Sequence, residues 1–330
     1  SGIVITKELN KASGVWSMQS QFQNQQAGTW PEFGYLVDYM VVAGGGGSAS
    51  AGGGGGGAGG YRASGYGPSP LQGTALSKKW GTYAVTVGAG GASKTSGSIS
   101  VFSTITSDGG GHGSEQGNAA IAGGSGGGAA GSDGTPRSGG AGNTPETDPD
   151  QGFAGGNNAV GNPYMAGGGG GATAVGSNAS NPTSGNGGAG APNNILGSAT
   201  TYAGGGGGGS FDSLPSCSKG TGGAGGGGAG GGSGAVGVAG SVTTGGGGGG
   251  GAGGFGTAYI GGAGGSGIVV VKSTAGLSVT GPACNSVSYD GTNFTASLKA
   301  TGNLTVGAPN TFVESDYLVI AGGGSGGRSY

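Results

Sequence analysis

The chain has 330 residues and a mass of 30.0 kDa; 98 residues are glycine, 32% are hydrophobic, only 7% are charged, and the formal net charge is −2. Eleven basic against 13 acidic residues, with no basic patch and no like-charge block, exclude a nucleic-acid-binding surface and disorder driven by charge repulsion. Irregular glycine runs with 12 prolines exclude collagen, no stretch reaches the ~18 apolar residues that read as a membrane span, and the low hydrophobic content predicts that a conventional apolar core does not carry the stability.

Taken in order, Ser1 to Thr6 is short, apolar and β-branched and reads as a strand. Gly14 to Ala27 is predicted as the one α-helix, with Val15, Met18 and Phe22 at helical spacing, Ser13 as N-cap and Gly28 just past the end. Trp30-Pro31 ends it. Tyr35 to Ala43 is a second strand running into the first glycine run; Thr82 to Val87 is its predicted partner, and Ile99 to Thr106 alternates like a half-buried strand. From Asp108 to Gly265 regular strands are not expected. There the glycine runs alternate with loops of Asn, Pro, Ser and Thr. Ser266 to Val271, Phe294 to Val306 and Tyr317 to Ile320 read again as strands.

The glycine runs, from Gly44 to Gly47 and Gly52 to Gly57 through Gly204 to Gly209 to Gly261 to Gly265, admit almost only Ala and Ser. Glycine loses the most backbone entropy on ordering, so such a stretch defaults to coil. The competing state is an extended threefold helix at ~3.1 Å per residue without internal hydrogen bonds, whose peptide groups point outward to neighbours. The expected fold class is therefore mostly irregular and β: a bundle of packed polyglycine-II helices flanked by short β-strands, with one short N-terminal α-helix.

An internal repeat sets the expected domains. Ser1-Gly2-Ile3-Val4 recurs as Ser266-Gly267-Ile268-Val269, and Asp38-Tyr39-Met40-Val41-Val42-Ala43 as Asp316-Tyr317-Leu318-Val319-Ile320-Ala321. Residues 1–37 read as the end of a preceding module and a helical connector, 38–272 as the glycine-rich module, 273–315 as a β-rich connector and 316–330 as the start of a further module. With no initiator methionine, the chain reads as a processed or excerpted piece.

Several motifs invite chemistry and fail on physical grounds. Gly88 to Thr95 nearly spells a phosphate-binding loop, but Ser93 stands where glycine is required and a strand, not a helix, follows. Glycine-based fingerprints elsewhere are expected by chance at this glycine density. His112 is the only histidine and reads as a loop position; Glu146, Asp148 and Asp150 lack the turn glycine and closing glutamate of a calcium loop. Cys217 and Cys284 form no metal-binding spacing, and a disulfide or two free thiols both stay open. Asn178, Asn293 and Asn303 begin sequons that matter only in a glycosylating pathway. No catalytic residue, cofactor or metal site is expected, and the chain reads as no enzyme.

The order of Asp38-Tyr-Met-Val-Val-Ala-Gly-Gly-Gly-Gly, Gly57-Ala-Gly-Gly-Tyr61-Arg62, Tyr83-Ala-Val-Thr-Val-Gly-Ala-Gly-Gly91, Phe102-Ser-Thr-Ile-Thr and Gly261 to Val270 resembles the glycine-rich domain of bacteriophage tail fibres and related virion or environmental surface proteins. The likeness covers about Asp38 to Lys272. The bundle geometry is similar to that of the distal tail-fibre adhesins of T-even-like phages, whose polyglycine helices carry variable receptor-reading loops. It implies a virion or extracellular location and host-surface recognition.

Aromatic rings flanked by Asn, Asp and Arg suit shallow contacts with sugars or protein surfaces. Tyr61, Tyr83 and Tyr202 flank glycine runs and read as caps. Tyr66, Trp80, Phe153, Asn157, Asn158, Tyr164, Phe211 and Asp212 are the candidate partner-contact residues. Ile3, Val4, Ile5 and Tyr317, Leu318, Val319, Ile320 are candidate assembly strands. The expected role is a structural and adhesive fibre module whose partners are copies of itself, adjacent fibre proteins and a host glycan or outer-membrane protein, with no nucleic acid and no membrane insertion. The alternative is a subunit of an extracellular filament or sheath joined by terminal strand exchange, without a receptor.

Overall fold

The structure, a computed structural model, describes residues 3–5, 33–131, 134–210, 217–254 and 257–307. The larger sheet contains β1 (Ile3–Ile5), β2 (Phe33–Val42), β3 (Tyr61–Ser64), β4 (Gln72–Gly73), β5 (Leu76–Lys78), β13 (Ile268–Ser273), β15 (Ser286–Tyr289) and β16 (Phe294–Leu298). The second sheet contains β6 (Gly81–Thr86), β7 (Ser100–Phe102), β8 (Ile105–Ser107), β14 (Leu277–Thr280) and β17 (Gly302–Val306). Two short pairs join β9 (Ala191–Asn193) to β10 (Thr200–Tyr202) and β11 (Gly253–Gly254) to β12 (Thr257–Ala258).

The larger sheet runs β15-β16-β13-β2-β3-β4, and β1 and β5 pair with the other end of β2. β2 is the spine. β13 lies antiparallel along it from Ile268 opposite Val42 to Ser273 opposite Val37. Its sequence is almost continuously apolar because both faces are covered. Val37, Tyr39 and Val41 join Val269, Val271, Ala296 and Leu298 in a cluster closed by Val85, Phe102, Leu304 and Val306 of the second sheet. The alternate residues Met40, Val42, Ile268 and Val270 face the other way, against Ala58, Tyr61, Ala172, Ile195 and Tyr202. Thus the larger sheet is a middle layer between the second sheet and the ends of the glycine segments.

This arrangement corrects the expected fold class. The regular structure is mainly strands in sheets, and no helix is present among the described residues, so a bundle of helices does not describe it. The expected α-helix at Gly14 to Ala27 lies outside the described residues. An apolar core is nonetheless present among the described residues, where Val, Leu, Ile, Met and aromatic side chains of stacked strands gather in two buried clusters. Thr82 to Val87 is not the partner of β2; as β6 it bonds β17 and β7 in the second sheet. β2 takes β13 instead, more than two hundred residues later, and loop-closure entropy rises only logarithmically with that separation.

The glycine runs carry neither strand nor helix over most of their length, yet residues 44–49, 52–60, 166–172, 203–210 and 245–252 are buried throughout. Gly54, Gly57 and Gly60 donate to Ser114, Gly111 and Asp108; Gly55 and Ala58 to Gly167 and Gly170; Gly56 and Gly59 to Gly248 and Gly245. Three successive N–H groups therefore reach three different segments, and the fourth returns to the first. Bonding spreads around the segment rather than within one plane. The packing is close enough to exclude side chains: a Cβ on Gly55 would lie 2.1 Å from the Gly206 carbonyl oxygen, and one on Gly237 would lie 1.8 Å from that of Gly249.

Residues 43–49 leave β2, the chain turns at 50–52, and 53–60 returns into β3, which gives this glycine block a sheet-side end and a far end. The remaining segments follow the same axis. The Gly59 N–H donates to Gly245 at the sheet side, whereas Gly209 donates to Gly53 and Gly52 donates to Gly251 at the far end.

Candidate functional site

Three of the far-end loops, 134–138, 157–165 and 178–183, are tied each to the next by asparagine side chains. Asn158 Oδ1 accepts from the Arg137 N–H at 2.7 Å, its Nδ2 donates to the Thr135 carbonyl at 3.1 Å, and Asn157 Oδ1 accepts from Gly139 N–H at 3.1 Å. The Asn157 N–H donates to Asn178 Oδ1 at 2.8 Å, the Ala179 N–H donates to the Asn157 carbonyl, and Asn181 Nδ2 donates to the Val160 carbonyl at 3.2 Å. Asn residues suit this use because a short amide supplies donor and acceptor to backbone groups that have no ladder partner. The Asn162-Pro163 and Asn181-Pro182 bonds are both cis. Val160, Asn162 and Ser180 are left exposed, as are the stapling Asn178 and Asn181 themselves.

The predicted contact residues do not form one site. Asn157, Asn158 and Tyr164 belong to the far end, but the two asparagines hold loops together and Tyr164 is half-buried with its backbone against Gly131. Phe153 sits within a glycine segment, its N–H donating to Gly171 and its carbonyl accepting from Gly126, with the residue half-buried. Trp80, 73% exposed between β5 and β6, and Tyr66 lie at the sheet side. Phe211 and Asp212 lie outside the described residues, as do Tyr317, Leu318, Val319 and Ile320. β1, the other candidate assembly strand, pairs antiparallel with Phe33 to Tyr35 of its own chain.

At the sheet side Tyr66 borders two clefts. The first, about 210 Å³, is lined by Leu36, Asp38, Tyr66, Lys272, Thr274 and Asn293; the second, about 350 Å³, by Tyr66, Pro68, Pro192, Asn194 and Ala199. The Lys272 ammonium lies 5.2 Å from the Tyr66 ring centroid and 3.5 Å from Asp290 Oδ2. The Asn293 and Thr292 N–H groups, in that order, hold the Asp290 carboxyl below the usual range, and Lys272 adds to them. Asp38 Oδ1 accepts from Ser64 Oγ at 2.7 Å.

Other sequence candidates resolve into structural parts. Lys94, in the near-miss phosphate loop, pairs with Glu115. The loop of Glu146, Asp148 and Asp150 is organised by Asn143, whose Oδ1 accepts from the N–H groups of Thr147 and Gln151, and by buried Gln151, which bonds Asp108. Among the described residues no three His, Cys, Asp or Glu gather in a way that could hold a metal ion. Cys284 is an exposed free thiol. Tyr61 and Tyr202 are buried at the sheet-side ends of glycine segments, as their positions beside glycine runs suggest. Tyr61 Oη accepts from Asn193 Nδ2 at 2.7 Å, and burial pushes its pKa up to about 12 despite that bond, with Tyr202 adding a smaller upward push.

Sequence reasoning missed Arg137 and Asn181 at the far end and Asp38 and Lys272 at the sheet side as site residues, and read Asn178 and Asn293 only as sequons. A signal for the asparagines was present: Asn157 to Pro163 and Asn178 to Pro182, though of different length, both open on Asn and close on Asn-Pro. No curated protein matches the chain. The profile of a family described as the glycine-rich domain matches residues 22–274, most of the length, and the chain belongs to that family.

Proposed function

We propose that this chain is a structural and adhesive module of a phage tail fibre or a similar extracellular fibre, non-enzymatic, which presents its far-end loops to a host-surface carbohydrate or outer-membrane protein. The observation that carries this reading is the stapled set of loops 134–138, 157–165 and 178–183, standing on buried glycine segments that bond one another in several directions. A support cross-linked through its backbone holds polar loops in place without a large apolar body. Loops ordered before contact lose less entropy on binding. Many copies on one particle would multiply a weak single contact.

The test is adhesion. Fluorescently labelled full chain is applied to a panel of bacterial cells, beside a variant in which 157–163 and 178–183 are replaced by Gly-Ser of equal length. The reading expects binding to some cells and its loss in the variant, with the glycine block still folded. Absence of binding to every cell type, or equal binding by the variant, overturns it.

A further inference from the structure

We infer that the paired clefts on either side of Tyr66 form a binding site for a short neutral oligosaccharide, separate from the far-end loops. The first cleft combines an aromatic ring with groups of both hydrogen-bonding senses. Asp38 has one carboxylate oxygen committed to Ser64 and one left to accept from a hydroxyl, Lys272 can donate, and the exposed Thr274 hydroxyl can do either. A sugar ring presents the matching pattern, with an apolar C–H face for Tyr66 and Leu36 and a rim of hydroxyls.

The electrostatics favour an uncharged sugar. Among the described residues the only cation lining the first cleft is Lys272, which stands across from Asp38 on the neighbouring strand and is also faced by Asp290, so one ammonium is set against two carboxylates. An acidic sugar would meet net negative charge. Size limits the occupant: about 210 Å³ lies below the range of drug-sized pockets and fits one ring. The second cleft, about 350 Å³ and walled by Pro68, Pro192 and Ala199, shares Tyr66 and offers mostly apolar surface with Asn194 at its margin. Together they accommodate adjoining rings of one chain across the tyrosine.

The full chain is titrated with maltotriose, mannotriose and triacetylchitotriose, with sialyllactose as the acidic comparison, by saturation-transfer NMR and calorimetry. At least one neutral trisaccharide is expected to bind more tightly than sialyllactose. Tyr66→Ala should abolish that binding, Tyr66→Phe should keep it, and Asp38→Asn should weaken it about tenfold, the loss of a hydrogen bond to a charged group. Should Tyr66→Ala fail to fold, Tyr66→Phe and Asp38→Asn carry the test. Binding by none of the three, tighter binding of sialyllactose, or unchanged binding in both Tyr66→Ala and Asp38→Asn overturns the inference. Replacing the far-end loops should leave saccharide binding unchanged, so this site and the adhesion reading fail or stand separately.

Discussion

Gly206 shows what one missing side chain does. Its N–H donates to Gly56, its carbonyl accepts from Gly169, and a Cβ there would lie 1.9 Å from the Gly248 carbonyl oxygen. The obstructing atom is backbone, held by its own hydrogen bonds, so it has no rotamer to swing away. Gly206→Ala should cost about 3 kcal/mol or more, at the upper end of overpacking effects. Gly117, with φ +95° and nothing within 4 Å of the place a Cβ would take, should cost only about 1 to 2 kcal/mol on the same change, from the left-handed backbone alone. Urea unfolding of the two variants measures the difference; equal losses would mean that close approach is not what glycine provides. This requirement was legible from composition, since almost nothing larger than Ala or Ser enters the runs. The partner of each glycine was not, because identical residues carry no register.

Tyr61 gives a second residue-scale prediction, in pH. Its folded pKa, about 12, lies above the ordinary phenol value of 10.0, so its contribution is fully present below pH 10 and is lost as pH rises toward 12. Burial also raises Tyr39 and Tyr202, with the same sign. Stability should therefore fall above about pH 10, and Tyr61→Phe should flatten part of that fall. An unchanged alkaline profile in Tyr61→Phe would place the effect elsewhere.

At the scale of elements, the family profile ends at residue 274, yet seven of the fifteen buried residues described in the core cluster between the sheets lie beyond it: Ala275, Leu277, Phe294, Ala296, Leu298, Leu304 and Val306. β16 covers the outer edge of β13, and β17 joins β14 to β6. A chain stopping at 274 should expose β13 and bind a hydrophobic dye. In the full chain, Leu304→Ala should cost about 2 to 5 kcal/mol, because a fully buried side chain leaves a cavity. A truncated chain that melts like the whole one would contradict this. Phe294 to Val306, read as one strand, is divided between β16 in the larger sheet and β17 in the second, whereas β2, β6 and β13 were readable as apolar, β-branched runs. The pairing of β2 with β13 was not, because periodicity identifies a strand without naming its neighbour. The short β9 to β12 were hidden because their partners, not their own sequences, make them strands.

Over the whole molecule, two kinds of cohesion meet at β2: apolar packing toward the second sheet and backbone bonding through the glycine block. The loops at the far end were legible as polar interruptions. Their grouping at one end, opposite Tyr66 and Trp80, was not, because it depends on the direction in which each segment runs. The most direct measurement is amide hydrogen exchange of the intact chain, read over 53–60, 204–209 and 245–251. If backbone bonding makes these segments part of the cooperative fold, their glycine amides exchange as slowly as those of β2 and β13. Exchange at the rate of free glycine peptide, with β2 still protected, would contradict it.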